Sequence, residues 1–156
     1  MKIYQIILLI VGIAMLALIG FVIGSNLLSN PEDNSPEVNL TYENIPEQLP
    51  KINMIKALPD DSYLLLQFYN FNSGQRQIEK AYLLSNSEAI ETNQTSADIV
   101  LSINSKYLSE LTNKNFCEII QKANENNDLG FDTTLSTSEL VWKFKSMSKY
   151  KACLGF

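Results

Sequence analysis

The hydrophobic pattern divides the chain into stretches of different period. From Ile6 to Ile23 the run IILLIVGIAMLALIGFVI carries no charged or strongly polar side chain. With its flanks it reaches the ~20 residues that cross hydrocarbon as a helix. The reading is a short N-terminus at 1–5 and a transmembrane helix at 6–24. No period follows. All five prolines fall between Pro31 and Pro59, among Asn, Ser and Glu, which predicts a tether over 25–50. The folded domain is expected at 51–156, opening with KINMIKAL (51–58), whose Ile52, Ile55 and Leu58 share a helical face.

From Ser62 the period falls to two. SYLLLQFYNF (62–71) is apolar on both faces, with Leu64, Leu66 and Phe68 on one and Tyr63, Leu65, Tyr69 and Phe71 on the other. Such a strand is covered on both sides. Asn72-Ser73-Gly74 offers turn chemistry, and QIEKAYLLS (77–85) completes a hairpin. A short strand near 88–92 and ADIVLSIN (97–104) extend the meander. The period then lengthens. Asn104 can cap a short helix, and Asn115 with Glu118 resembles a capping box before NFCEIIQKANEN. LGFDTTLS (129–136) alternates again, and Ser136 with Glu139 offers a second capping box for a closing helix at 138–152. The fold class is α+β: a helix, an antiparallel strand meander, two helices, one strand and a C-terminal amphipathic helix, preceded by one transmembrane helix.

Charge adds a topology. The net charge is −5, and residues 31–62 carry seven acids against two lysines. With Lys2 before the apolar run and Glu32, Asp33 and Glu37 after it, the positive-inside rule places the N-terminus in the cytoplasm and the domain outside. A cleaved signal peptide is the competing reading, but the run exceeds the ~7–15 apolar residues usual for one. Gly20 and Gly24 form a G-x-x-x-G pair through which two such helices could form a weak homodimer. A single pair of this kind is common in membrane helices. An acidic chain argues against nucleic acid as a partner.

The candidate chemistry is sparse. With no histidine in the chain, histidine triads and imidazole-ligated metals are excluded. Asp60 and Asp61 read as turn residues, and Asp128 and Asp132 lack calcium-loop spacing. Neither enzymatic activity nor a cofactor is expected. Cys117 and Cys153 either pair across the domain or sit as small buried hydrophobes. The closing helix is the most distinctive element. Leu140, Phe144, Met147 and Leu154 form an apolar stripe, flanked by Lys143, Lys145, Lys149 and Lys151. Trp142 with Lys143, Lys145 and Lys149 suits an anionic membrane surface, while the ordinary alternative is a docked helix with a solvated lysine face.

The order of elements over residues 50–152 resembles the sterol carrier protein domain, a small lipid-binding fold. The resemblance rests on Asp98 in ADIVLSIN, SKYLSELT (105–112), NFCEIIQKANEN (115–126), the lone strand LGFDTTLS and the closing SELVWKFKSMSKY (138–150). The chain departs from that pattern in its glycines, with Asn113 after the first short helix and only Gly130 around the lone strand. The resemblance implies an apolar tunnel between sheet and helices and no chemistry of its own. An acyl chain or ring system would then lie against Leu64, Leu66, Phe68, Phe131 and Phe144. The expected function is a membrane-anchored, non-catalytic module for lipid or another apolar molecule. The alternative is a membrane-anchored protein-interaction module with a filled core and no ligand.

Overall fold

A five-stranded sheet forms around the most apolar stretch of the chain, β1 (Leu64–Asn72); the computed structural model describes residues 36–72, 74–151 and 153. The sheet order is β3-β2-β1-β4-β5, with β2 at Gln75–Leu84, β3 at Ala89–Glu91, β4 at Ile99–Asn104 and β5 at Leu129–Thr133. β1, β2 and β3 are the antiparallel meander read from the sequence. Gly74, at φ 79, takes the left-handed conformation that the tight β1–β2 turn requires.

β4 departs from that reading. It pairs parallel to β1, Leu64 opposite Ile99 and Phe68 opposite Ile103, so the sheet is mixed. Alternation of side chains is the same in either direction, and so the sequence pattern does not fix it. Asp98 joins the starts of the two strands, its Oδ2 accepting from the Tyr63 backbone N–H at 2.9 Å.

One face of the sheet carries Leu64, Leu66, Phe68, Tyr82, Ile99, Leu101 and Ile103 into a single core shared with the helices. Each fully buried Leu, Ile or Phe there contributes about 1.5–3 kcal/mol relative to exposure. On the opposite face Leu65 and Tyr69 are also buried, and the Arg76 guanidinium lies 4.6 Å over the Tyr69 ring. The middle of the central strand is thus covered on both sides, as its double apolar pattern predicts. Tyr63 and Phe71, expected on the covered second face, are instead exposed at the two ends, where the sheet carries no layer over them.

The helical face begins earlier than expected. The chain divides after Pro36, and residues 37–156 form one unit with its own core. Residues 37–50, read as tether, are part of it. They form α1 (Ile45–Gln48) and a 3-10 turn (Leu49–Lys51), followed by α2 (Asn53–Lys56). Leu40, Ile45 and Leu49 are buried. Pro46 and Pro50 occupy first-turn positions, where the missing N–H costs nothing, so they start these short helices rather than break them. Tyr42 packs edge-on against Phe68 with centroids 5.5 Å apart, and its carbonyl accepts from the Tyr82 hydroxyl at 2.9 Å.

Beyond β4, a 3-10 helix (Ser105–Glu110) is capped by Asn104, as expected. α3 (Phe116–Glu125) buries Phe116, Ile119, Ile120 and Ala123. Its expected capping box with Asn115 and Glu118 does not form. The Asn115 side chain instead accepts from Thr112 N and donates to Glu110 O, closing the preceding loop. The run 6–23, with Gly20 and Gly24, lies outside the described residues. Among those described, no helix is long and apolar enough to cross a membrane.

Candidate functional site

The closing helix forms in two pieces. Ser136 and Glu139 make the reciprocal capping box read from the sequence, starting α4 (Thr137–Lys143). The Ser136 hydroxyl, and after it the Ser136 backbone N–H, hold the Glu139 carboxyl below its ordinary range. At Phe144 the backbone leaves the α conformation (φ −98, ψ 23), and Lys145–Tyr150 continues as 3-10 helix. The expected unbroken helix over 138–152 is therefore corrected. Ser146 and Ser148 in this stretch are weak helix formers, and the Ser146 hydroxyl donates to Ala57 O at 3.0 Å, fixing the 3-10 segment against the end of α2.

Beside this break lies a cavity of about 610 Å³, within the range of small-molecule sites, roughly 300–1,000 Å³. Its inner wall is Leu140, Phe144 and Met147, together with Ile99 from β4. Thr137, Val141, Lys145, Ser148 and Lys151 line it along a second row. In a 3-10 helix residues three apart eclipse one another, so Lys145 and Ser148 fall in one line, with Lys151 at the cap that follows. The apolar wall suits a hydrocarbon body. The polar residues along the lining are Thr137, Lys145, Ser148 and Lys151, and no carboxylate is among them.

Of the five residues expected to line an apolar site, only Phe144 borders this cavity. Leu64, Leu66 and Phe68 are fully buried in the filled core. Phe131 is partly buried on β5, opposite Leu101. Apolar periodicity identifies buried positions without separating packed ones from those beside a void. The stripe of Leu140, Phe144 and Met147 was legible as helical spacing. Ile99, Thr137 and Ser148 carry no pattern that distinguishes them from their neighbours.

The lysines separate into two groups. Lys143 turns inward, its Nζ 3.0 Å from Asp98 Oδ2, the same oxygen that accepts from Tyr63 N. It belongs to a half-buried clasp joining α4 to the starts of β1 and β4 and is not part of a free basic face. Lys145 and Lys149 are exposed, over the rings of Trp142 and Tyr150 at 5.4 and 4.9 Å. Cys117 on α3 and Cys153 are joined by a disulfide with Cα atoms 5.0 Å apart, securing the end of the closing segment.

A second polar cluster sits at the other end of the sheet. Asp128 Oδ2 accepts from Lys106 Nζ at 2.5 Å and from the Tyr107 hydroxyl at 3.0 Å. The Tyr69 hydroxyl donates to the Asp128 carbonyl at 3.1 Å, and Asn126 Nδ2 donates to Tyr107 at 3.0 Å. The Lys106 hydrogen bond is the main cause holding the Asp128 carboxyl below its usual range; burial opposes it and the Tyr107 hydroxyl assists. These groups satisfy one another and close the turn between α3 and β5, where Asn127 takes a positive φ of 57°. Among the described residues no group of three or more His, Cys, Asp or Glu could hold a metal ion.

No protein-family model matches the chain, and neither does any curated protein. Among solved structures, it has a partial similarity to the solution structure of the sterol carrier protein domain 2 of Helicoverpa armigera. That similarity has a TM-score of 0.39 and 13% sequence identity, and it covers 74% of this chain and 87% of the other.

Proposed function

We propose that this protein is a non-catalytic binding module for a lipid or similar amphiphile, held in the cavity beside Phe144. The observation that carries the reading is the cavity itself: an apolar wall of Ile99, Leu140, Phe144 and Met147, with Lys145 and Lys151 on its second row. Burying a hydrocarbon chain there yields about 0.8 kcal/mol per CH₂. The lysines favour a carboxylate or phosphate head over a neutral one, since charge-assisted hydrogen bonds are roughly twice as strong as neutral ones. In this reading the apolar run of residues 6–23 anchors the unit beside its lipid source, with the domain outside the cytoplasm.

Native mass spectrometry tests the proposal. After solvent extraction and incubation with a long-chain fatty acid, the protein gains one ligand mass, and it prefers the acid to the alcohol of equal length. Leu140→Trp, which fills the cavity, removes the adduct. A protein that takes up no fatty acid, phospholipid or isoprenoid contradicts the reading. The second reading, a protein-docking module, draws on the complete burial of Leu64, Leu66 and Phe68, and it is the account left standing by that result.

A further inference from the structure

The outward side of the closing segment exposes Trp142, which does not line the cavity, next to Val141, which does. Val141 and Trp142 are 67% and 73% exposed, more than any other large hydrophobic residue described. An exposed Trp exposes a large apolar area, and its ring prefers an environment that is apolar on one side and wet on the other. The same segment carries Lys145, Lys149 and Lys151, all exposed and none in a salt bridge among the described residues. From Leu140 to Phe156 the sequence has no Asp or Glu, so no acidic side chain of this segment neutralises them. Lys145 lies over the Trp142 ring, which keeps the charge and the aromatic surface on one face.

We infer that this face docks on an anionic lipid bilayer, with Trp142 at the headgroup level, Val141 at the acyl boundary and the three lysines on lipid phosphates. Charge complementarity selects the partner. The chain as a whole is acidic, at net charge −5, so an anionic surface repels most of the molecule and attracts this segment, which orients the approach. Val141, Lys145 and Lys151 also line the cavity, so docking sets the cavity beside the layer from which an amphiphile would enter. The inference takes its purpose from the binding-module reading, but docking is measured with the cavity empty.

Trp142 is the only tryptophan in the chain, so its fluorescence reports on this face alone. The full chain is combined with phosphatidylcholine vesicles, with or without phosphatidylglycerol. In anionic vesicles its emission shifts to the blue, is quenched by lipids brominated on the acyl chain, and reverts in high salt. Each lysine near an anionic surface contributes about a fivefold factor, so K145E/K149E/K151E weakens the anionic-vesicle response on the order of a hundredfold. Three results overturn the inference: emission unmoved in anionic vesicles, equal quenching in neutral ones, or full quenching retained by the triple variant with unchanged far-UV circular dichroism. Fatty-acid uptake without quenching sinks docking and leaves the binding module standing; quenching without uptake does the reverse.

Discussion

Two amphipathic segments pack on the same core and do different things. α3 presents Phe116, Ile119, Ile120 and Ala123, all buried, in unbroken α-helical register. The closing segment presents Leu140, Phe144 and Met147 at similar spacing; Phe144 and Met147 are buried, but Leu140 is only partly so. No residue of α4 is buried, and a cavity lies beside it. The difference is one of helical register. α3 keeps 3.6 residues per turn throughout, so its stripe stays aligned with the sheet. The closing segment tightens to 3-10 helix after Phe144, and Thr137, Lys145, Ser148 and Lys151 join its apolar residues along the cavity. Regularity fills a core, and a change of helix type beside the core leaves room.

The sharpest way to break this comparison is to truncate one apolar side chain in each segment. Ile120→Ala in α3 should cost about 2–5 kcal/mol, as large-to-small changes in a filled core do. Val141→Ala on α4 should fall within about 0.5 kcal/mol of wild type, as exposed substitutions do. Urea denaturation at constant m-value measures both. Equal costs would mean that the closing segment is as tightly packed as α3.

A smaller effect is expected at the start of the closing segment. Ser136→Ala removes the hydroxyl of the capping box and should lower stability by about 1 kcal/mol. Because α4 buries no residue of its own, the cap is a large share of what defines its start. Hydrogen exchange should therefore rise in 137–143 and leave 116–125 protected.

The smallest effect, dependent on pH, belongs to the sealed end. The Asp128 carboxyl is depressed in the folded state, chiefly by Lys106. A depressed carboxyl contributes stability that is fully present above its unfolded pKa and is lost as pH falls through the folded value. Asp128→Asn should accordingly destabilise at neutral pH, and the gap from wild type should close as the solution is acidified below the ordinary carboxylate range. A gap independent of pH would assign the effect to geometry alone.

Much of this architecture was legible in the residues. The double apolar pattern of Leu64–Phe71 marked the central strand, and Ser136 with Glu139 marked the start of α4. What escaped the pattern has physical causes. The direction of β4 is set by how the chain crosses from β3 to the far side of β1, and side-chain alternation is blind to direction. Pro46 and Pro50 suggested a tether because proline interrupts helices, but at first-turn positions it begins them. Lys143 looked like its neighbours in sequence until Asp98 claimed it. The lining of the candidate cavity was legible in part. Helical spacing marked Leu140, Phe144 and Met147 as one stripe, of which Phe144 alone was expected to touch a ligand, while Ile99 comes from a strand distant in sequence and only the fold brings it there.

The central claim is that the cavity beside the closing segment, and not the space around β1, is where an apolar molecule binds. Photolabelling with a diazirine-bearing fatty acid, followed by peptide mapping, tests it most directly. The account predicts saturable labelling confined to residues 137–151 and to the strand around Ile99, competed away by unlabelled fatty acid. Labelling concentrated on Leu64, Leu66 and Phe68, or labelling that no competitor reduces, would contradict it.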